Sequence, residues 1–333
     1  MKNGHGDTET RKNGHGDRET RRHGDKTSGL RVSASAARRS AGSASKSPLK
    51  SPRARVSESP RPSSPRQSFP LITLLTDFGS ADYFVAAMKG VILSANPQVH
   101  LADITHEIPP QDIAAAAFTL LAAYGAFPTK TIHLAVVDPG VGSSRRPILL
   151  VSGDQIFVGP DNGIFSYIID RERETRVFHI TNEEYFRHPV SATFHGRDIF
   201  APVAAALSMG VRPEEFGVEI KDHVRMKPLR PDVLRKGRLA ARIIHIDRFG
   251  NCITNLTQQE LTPEMIKGGA RLTIKGKTIK AFRQFFSAES DHKEELFAVW
   301  GSAGFLEIAA QNRSAAKVLK LERGETVAVL TPK

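Results

Sequence analysis

The sequence predicts an α/β domain, with a mostly parallel sheet carrying helices on both faces, followed by an all-β, barrel-like domain. Three observations predict it. Strand and helix patterns alternate from residue 71 to residue 209, and the strands are near-continuous apolar runs, the pattern of a sheet buried on both faces. Beyond residue 238 come short strands with little helix between them, the pattern of a small barrel or sandwich. Ahead of both, residues 1–68 carry 16 Lys and Arg against 6 Asp and Glu, so +10 of the chain's formal +12 sits there.

The leading segment contains a ten-residue repeat, Asn3-Gly-His-Gly-Asp and again Asn13-Gly-His-Gly-Asp, then a Ser-, Arg-, Ala- and Pro-rich stretch with Ser-Pro at 47–48, 51–52, 59–60 and 64–65. Such a composition buries too little apolar area to offset chain entropy, so residues 1–68 are expected to be disordered. Order is expected from Phe69. Leu71 to Asp77 reads as a buried strand ending in an acidic loop, and Asp82 to Ala95 as a helix on the spacing of Phe84, Met88, Val91 and Ile92. Val99–Asp103 is a second strand, Asp112–Tyr124 a helix behind Pro109-Pro110, and Ile132–Asp138 a third strand. Residues 148–151 and 155–158 form a further pair, followed by a short helix from Gly163, a strand at 177–180 and a helix at Asp198–Met209. The polar stretch 221–237 reads as a boundary, which divides the ordered chain into 69–230 and 238–333. Strands follow at 239–246, 252–256, 271–275, 278–282, 296–300, 304–309 and 326–330.

Composition excludes several classes of function. After the leading segment the net charge is only +2, which argues against a folded nucleic-acid-binding face. One cysteine, Cys252, excludes an internal disulfide framework and a multi-cysteine zinc site, and fits a cytoplasmic protein. No apolar stretch is long enough to span a bilayer. Gly140-Val-Gly142 fails as a dinucleotide fingerprint, because Arg145 stands where a third glycine belongs and no helix pattern follows. Asp77, Asp103, His106 and His195 lack the close helical pairing of a metal motif. No metal and no cofactor are expected.

What remains is a set of polar clusters at strand ends, where open α/β sheets bind ligands. They are Thr76-Asp-Phe-Gly79, Asp103 with His106, Asp138-Pro-Gly-Val-Gly142, Gly159-Pro-Asp-Asn-Gly163 and Phe194-His-Gly-Arg-Asp198. Together with Asp247-Arg-Phe-Gly-Asn251 and Trp300-Gly-Ser-Ala-Gly304, in order over about residues 70–331, they resemble the S-adenosylmethionine (SAM) hydroxide adenosyltransferase family, whose relatives are SAM-dependent fluorinases and chlorinases. The resemblance implies hydrolysis of SAM to adenosine and L-methionine by attack of water or hydroxide at ribose C5′. It also implies a homotrimer, each site lying between the first domain of one subunit and the second domain of the next.

The same resemblance implies the roles. Asp138, Arg145 and His195 map onto the constellation that positions and polarises the water, with Arg146 the adjacent alternative to Arg145. Asp77 maps onto the acid that holds the ribose hydroxyls, and Asp82 and Asp247 onto residues near the methionine amino group. Asn251 maps onto the adenine contact, Phe249 onto packing beside it, Ser302 onto the methionine carboxylate contact, and Glu307 onto the adenosine lining. Halogenating relatives carry Tyr where Asp138 stands, Tyr-Ser where His195-Gly196 stand, and a long insertion for which residues 147–158 leave no room. They also have Arg where Ala303 follows Ser302. A carboxylate at the nucleophile position repels halide. The alternatives carried forward are a halogenase and a non-catalytic sensor of SAM or adenosine.

Overall fold

A computed structural model describes residues 70–234, 238–286 and 295–331. The expectation for residues 1–68 lies outside the described residues. The first sheet has seven strands: β1 (Leu71–Thr76), β2 (His100–Thr105), β3 (Ile132–Val136), β4 (Pro147–Ser152), β5 (Gln155–Pro160), β6 (Thr175–Ile180) and β7 (Gly217–Ile220). Their spatial order is β2-β1-β3-β5-β4-β6-β7. Pairing is parallel across β2-β1-β3-β5 and antiparallel across β5-β4-β6-β7. The connections explain the change of sense. Helices link β1 to β2 and β2 to β3, which lets those strands run parallel. Only Gly153 and Asp154 separate β4 from β5, and so short a link forces an antiparallel pair.

Both faces are covered, as the apolar strands require. Helices α1 (Phe84–Ala95) and the later α4 (Ala201–Ser208) close one face, where Met88, Ile92, Val203 and Ala204 pack with Ile72, Leu74 and Leu134. Helices α2 (Ile113–Ala123) and α3 (Ser166–Arg171) close the other, where Ala116, Phe118, Leu120 and Ile168 pack with Leu75, Ala135 and Phe157. Leu74 and Leu75 thus point to opposite cores, as strand alternation dictates. Each such fully buried side chain contributes about 1.5–3 kcal/mol. Asp112 starts α2 by accepting from the Ala115 N–H at 2.9 Å, a carboxylate cap. Because α1 follows β1 and α2 follows β2, the chain leaves these two adjacent strands toward opposite faces of the sheet.

The chain reaches the second sheet at β8 (Asp232–Val233) and continues through β9 (Leu239–Ile246), β10 (Cys252–Thr254), β11 (Arg271–Ile274), β12 (Lys277–Ile279), β13 (Phe282–Arg283), β14 (Leu296–Trp300), β15 (Leu306–Ala310) and β16 (Thr326–Leu330). The order β12-β11-β16-β9-β10-β15-β14-β13, with β8 on β9, is one sheet that curls around one core. Leu272 and Ile279 from one end share that core with Ala298 and Ile308 from the other. Two short helices, α5 (Pro263–Lys267) and α6 (Ala315–Leu319), decorate it. The curled sheet docks on α2, where Phe118 stacks on His245 at 5.0 Å and meets Phe305 at 5.8 Å between ring centroids. Among the described residues no helix is long and apolar enough to cross a membrane.

Candidate active site

The register Thr76↔Val136 between β1 and β3 brings Asp77 and Asp138 to the same sheet edge, each just past the end of its strand. After Asp138 the chain makes a tight excursion and returns as β4. Inside it the Val141 N–H donates to the Asp138 carbonyl and the Ser143 hydroxyl to the Gly140 carbonyl. Gly142, at φ +75°, lies against a second loop so closely that an added Cβ would sit 2.2 Å from the Ala192 carbonyl oxygen. Only glycine fits there. That second loop delivers His195, followed at once by a π-turn over Gly196–Phe200, an irregularity common at functional sites.

Arg145 reaches back from this excursion to Asp138. Its Nε donates to both carboxylate oxygens at 2.9 Å, and its Nη2 donates to Oδ2. The same Nη2 donates to His195 Nδ1 at 2.8 Å. A guanidinium has no acceptor, so Nδ1 is the unprotonated nitrogen and the ring proton is on Nε2. Burial, then the neighbouring Arg145 charge, hold the His195 imidazole below its ordinary pKa. The Arg145 guanidinium lies over the fully buried Phe200 ring, 5.1 Å from its centroid. Its Nη1 is buried without a hydrogen-bond partner. Leaving such a donor unmade costs about 1–3 kcal/mol, so the position calls for an oxygen from a ligand or water. Arg146 points elsewhere, to Asp161 and Asp222.

The remaining first-domain residues are arranged more loosely. Asp77, half-buried, accepts from the Gln111 N–H at 2.7 Å, and Asp82 is exposed. Asp103 pairs with Lys89 at 2.6 Å and His106 at 3.0 Å, while His106 Nδ1 lies 2.9 Å from the Thr76 hydroxyl. His195 is with Arg145, so these candidate metal ligands do not converge. Among the described residues no group of three or more His, Cys, Asp or Glu is arranged as a metal site. In the sequence Phe84 carries the apolar spacing of α1, while Phe78 and Phe194 stand inside polar motifs with no role of their own. The structure gathers them into an aromatic wall, with centroids 5.1–6.0 Å apart. The signal available was their place inside or beside the acidic motifs.

The second-domain residues form a separate group. Asp247 accepts from the Asn251 N–H at 2.8 Å and its Nδ2 at 2.9 Å, closing the turn Asp247–Asn251. Closure throws Phe249 outward, 78% exposed. Gly250, at φ +85°, leaves no space for a Cβ against Ser314. Glu307 pairs with Ile253 across β15 and β10, and its carboxylate lies over Gly301. Burial, then the Asp247 charge, push the Glu307 pKa up. Ser302 is exposed on the loop before β15. Among the described residues no hydrogen bond, ion pair or ring contact joins this group to Asp77, Asp138, Arg145 or His195.

Residues 72–217 match the SAM hydroxide adenosyltransferase N-terminal domain and residues 241–328 its C-terminal domain. The chain belongs to this family. Among SAM hydroxide adenosyltransferase relatives, an (R)-S-adenosyl-L-methionine hydrolase of Methanocaldococcus jannaschii is 35% identical over 274 residues, 78% of this chain and 95% of the relative. A crystal structure of a conserved protein from Thermotoga maritima superposes with a TM-score of 0.71 at 34% identity, over 78% of this chain and 99% of that one. A fluorinase of Nocardia brasiliensis is more distant, 25% identical over 289 residues, 78% of this chain and 96% of the relative.

Proposed function

We propose that the protein hydrolyses SAM to adenosine and L-methionine, with water or hydroxide as the nucleophile at ribose C5′. The observation that carries this reading is the hydrogen-bonded chain Asp138–Arg145–His195 with its unpartnered Arg145 Nη1. The sulfonium leaves as a neutral thioether and needs no general acid. The nucleophile is the difficulty, since bulk water has a pKa of about 15.7. Arg145 Nη1 donates to the attacking oxygen and stabilises hydroxide character, while Asp138 accepts the proton that is lost. His195, protonated on Nε2, offers a further donor beside Arg145.

The substrate contacts belong to the same proposal. Asp77 takes the ribose hydroxyls, Asp82 and Asp247 the amino group, and Ser302 the methionine carboxylate. Phe249, Asn251 and Glu307 surround the adenosine. SAM is the substrate, and the reaction uses no cofactor. The two groups of residues meet across a subunit boundary of a homotrimer, a reading supported by exposed Phe249 and by the lack, among the described residues, of a hydrogen bond, ion pair or ring contact between them. The lone buried Cys252, its thiol pKa pushed up to about 12 by burial and the Asp247 charge, accords with a cytoplasmic location.

The direct test incubates purified protein with each sulfonium epimer of SAM in oxygen-18 water. Adenosine labelled at the 5′-hydroxyl is expected, with the (R) epimer favoured, as in the name of the M. jannaschii relative. Formation of 5′-chloro- or 5′-fluoro-adenosine as the main product in halide buffer would assign the chain to the halogenating branch. Binding without turnover would make it a sensor.

A further inference from the structure

We infer that Asp161 and Asn162 are positioning residues that clamp both roots of the Asp138–Arg146 excursion, and so hold Asp138 and Arg145 at the geometry the reaction needs. The inference rests on the proposed roles of Asp138 and Arg145. In the sequence these two residues read as turn formers within Gly159-Pro-Asp-Asn-Gly163, and the turn is present: Asn162 Oδ1 accepts from the Ile164 N–H at 3.2 Å. A turn uses only that acceptor. Asn162 Nδ2, the Asp161 N–H and Asp161 Oδ2 reach out of the turn to the excursion.

Asn162 Nδ2 donates to the carbonyl oxygen of Val137 at 2.8 Å, the residue immediately before Asp138. Val137 is fully buried, so this carbonyl lies away from solvent. The other root is gripped twice. The Asp161 N–H donates to the Arg146 carbonyl at 2.9 Å, and Asp161 Oδ2 accepts from Arg146 Nε at 2.9 Å and Nη2 at 2.7 Å. Asp161 Oδ1 accepts from the Val224 N–H at 2.8 Å, which anchors the acid from behind. Its side chain is 2% exposed. Thus the residue before Asp138 and the residue after Arg145 are both fixed to adjacent positions of one rigid turn. That turn is set close in by Gly159, where a Cβ would fall 2.3 Å from the Ala135 carbonyl oxygen.

Neither residue approaches Asp138 or Arg145 side chains directly, so both act through the backbone they hold. Misplacing a reacting group by about 1 Å costs on the order of 100-fold in rate. Asn162→Asp keeps the acceptor for Ile164 and replaces the donor to Val137 with a charged oxygen that repels its carbonyl, which breaks that link while leaving the turn bond in place. Asp161→Asn keeps shape and removes the charge that binds Arg146. Both are measured for kcat and KM with SAM, alone and combined with Asp138→Asn, with melting curves to establish folding.

Each single variant is expected to lose about 10- to 100-fold in kcat with KM within about twofold. In the Asp138→Asn background the further loss should shrink, since part of the clamp's effect runs through Asp138 and only Arg145 is then left to position. Should the folded variants keep wild-type kcat, lose only KM, or show the same loss with and without Asp138, the clamp is overturned. Normal turnover by Asp138→Asn alone would instead overturn the catalytic role on which the clamp depends, and the two failures are thereby separated.

Discussion

Arg145 uses its Nε and Nη2 donors on Asp138 and His195 and leaves Nη1 without a partner, which is the donor the proposed reaction gives to the attacking oxygen. Asp138→Asn, Arg145→Ala and His195→Ala are therefore each expected to lower turnover by about 10²–10⁴, while calorimetric SAM binding changes little. Near-normal rates in all three would remove them from the mechanism. The His195 contact also sets a pH dependence. Nδ1 accepts only while the ring is neutral, and protonation would place a second cation beside Arg145, with Asp138 and Asp198 the neighbouring acids. The folded-state pKa is depressed, so the neutral form persists below the ordinary value of 6.5 and is lost as pH falls further. Activity should hold through neutral pH and drop on an acid limb with a midpoint under 6.5 that is absent in His195→Ala. An acid limb unchanged in that variant would assign the titration to another group. At this scale the motifs pointed to Asp138 and His195, but adjacent Arg145 and Arg146 are alike in sequence. What separates them is direction: the strand β4 that follows turns one toward Asp138 and the other toward Asp161.

The excursion after β3 and the loop before the π-turn meet at Gly142 and Ala192, which makes that contact the hinge point of the arrangement. Gly142→Ala adds a methyl into the Ala192 carbonyl at a left-handed backbone position. A stability loss of about 1–3 kcal/mol is expected, with a fall in kcat larger than the rise in KM, because Asp138 and His195 are pushed apart. A variant with wild-type kcat would show that the two loops tolerate separation. The long apolar elements were legible from spacing alone. β1, α1, α2 and β3 fall where Leu71–Asp77, Asp82–Ala95, Asp112–Tyr124 and Ile132–Asp138 were expected, give or take frayed ends. Elements with little burial were not. β7 presents Val218 and Glu219 to solvent, so its apolar pattern is weak. α5 and α6 are single turns started by Thr262 and Ser314 caps rather than by a periodic face. The sequence expects an ordinary helix from Asp198, whereas residues Asp198–Phe200 complete the π-turn Gly196–Phe200; Gly196 tucked against Met88 is a packing fact, visible only in three dimensions.

At the scale of the molecule, the division into an α/β domain and a curled β domain was implied by the change in helix content near residue 230. The first sheet, expected to be mostly parallel, has three antiparallel pairings among its six, because β4 returns to β5 through a two-residue link. The closure of the second sheet around a single core was less legible, because the pairing of distant strands such as β9 with β16 depends on contacts far apart in sequence. Among the described residues the two groups of proposed site residues share no bond within one chain, and the proposed subunit boundary between them has a statistical consequence. Let one variant carry Asp138→Asn and another Asn251→Ala, each nearly inactive alone. Co-expressed, they would assemble at random into the proposed trimer. A working site then needs an intact first half from one chain and an intact second half from its neighbour, so about a quarter of all sites are whole. Recovery near that fraction of wild-type activity would show that each site is shared between two subunits, whatever the size of the ring. A site built within one chain would recover nothing, whatever the mixture.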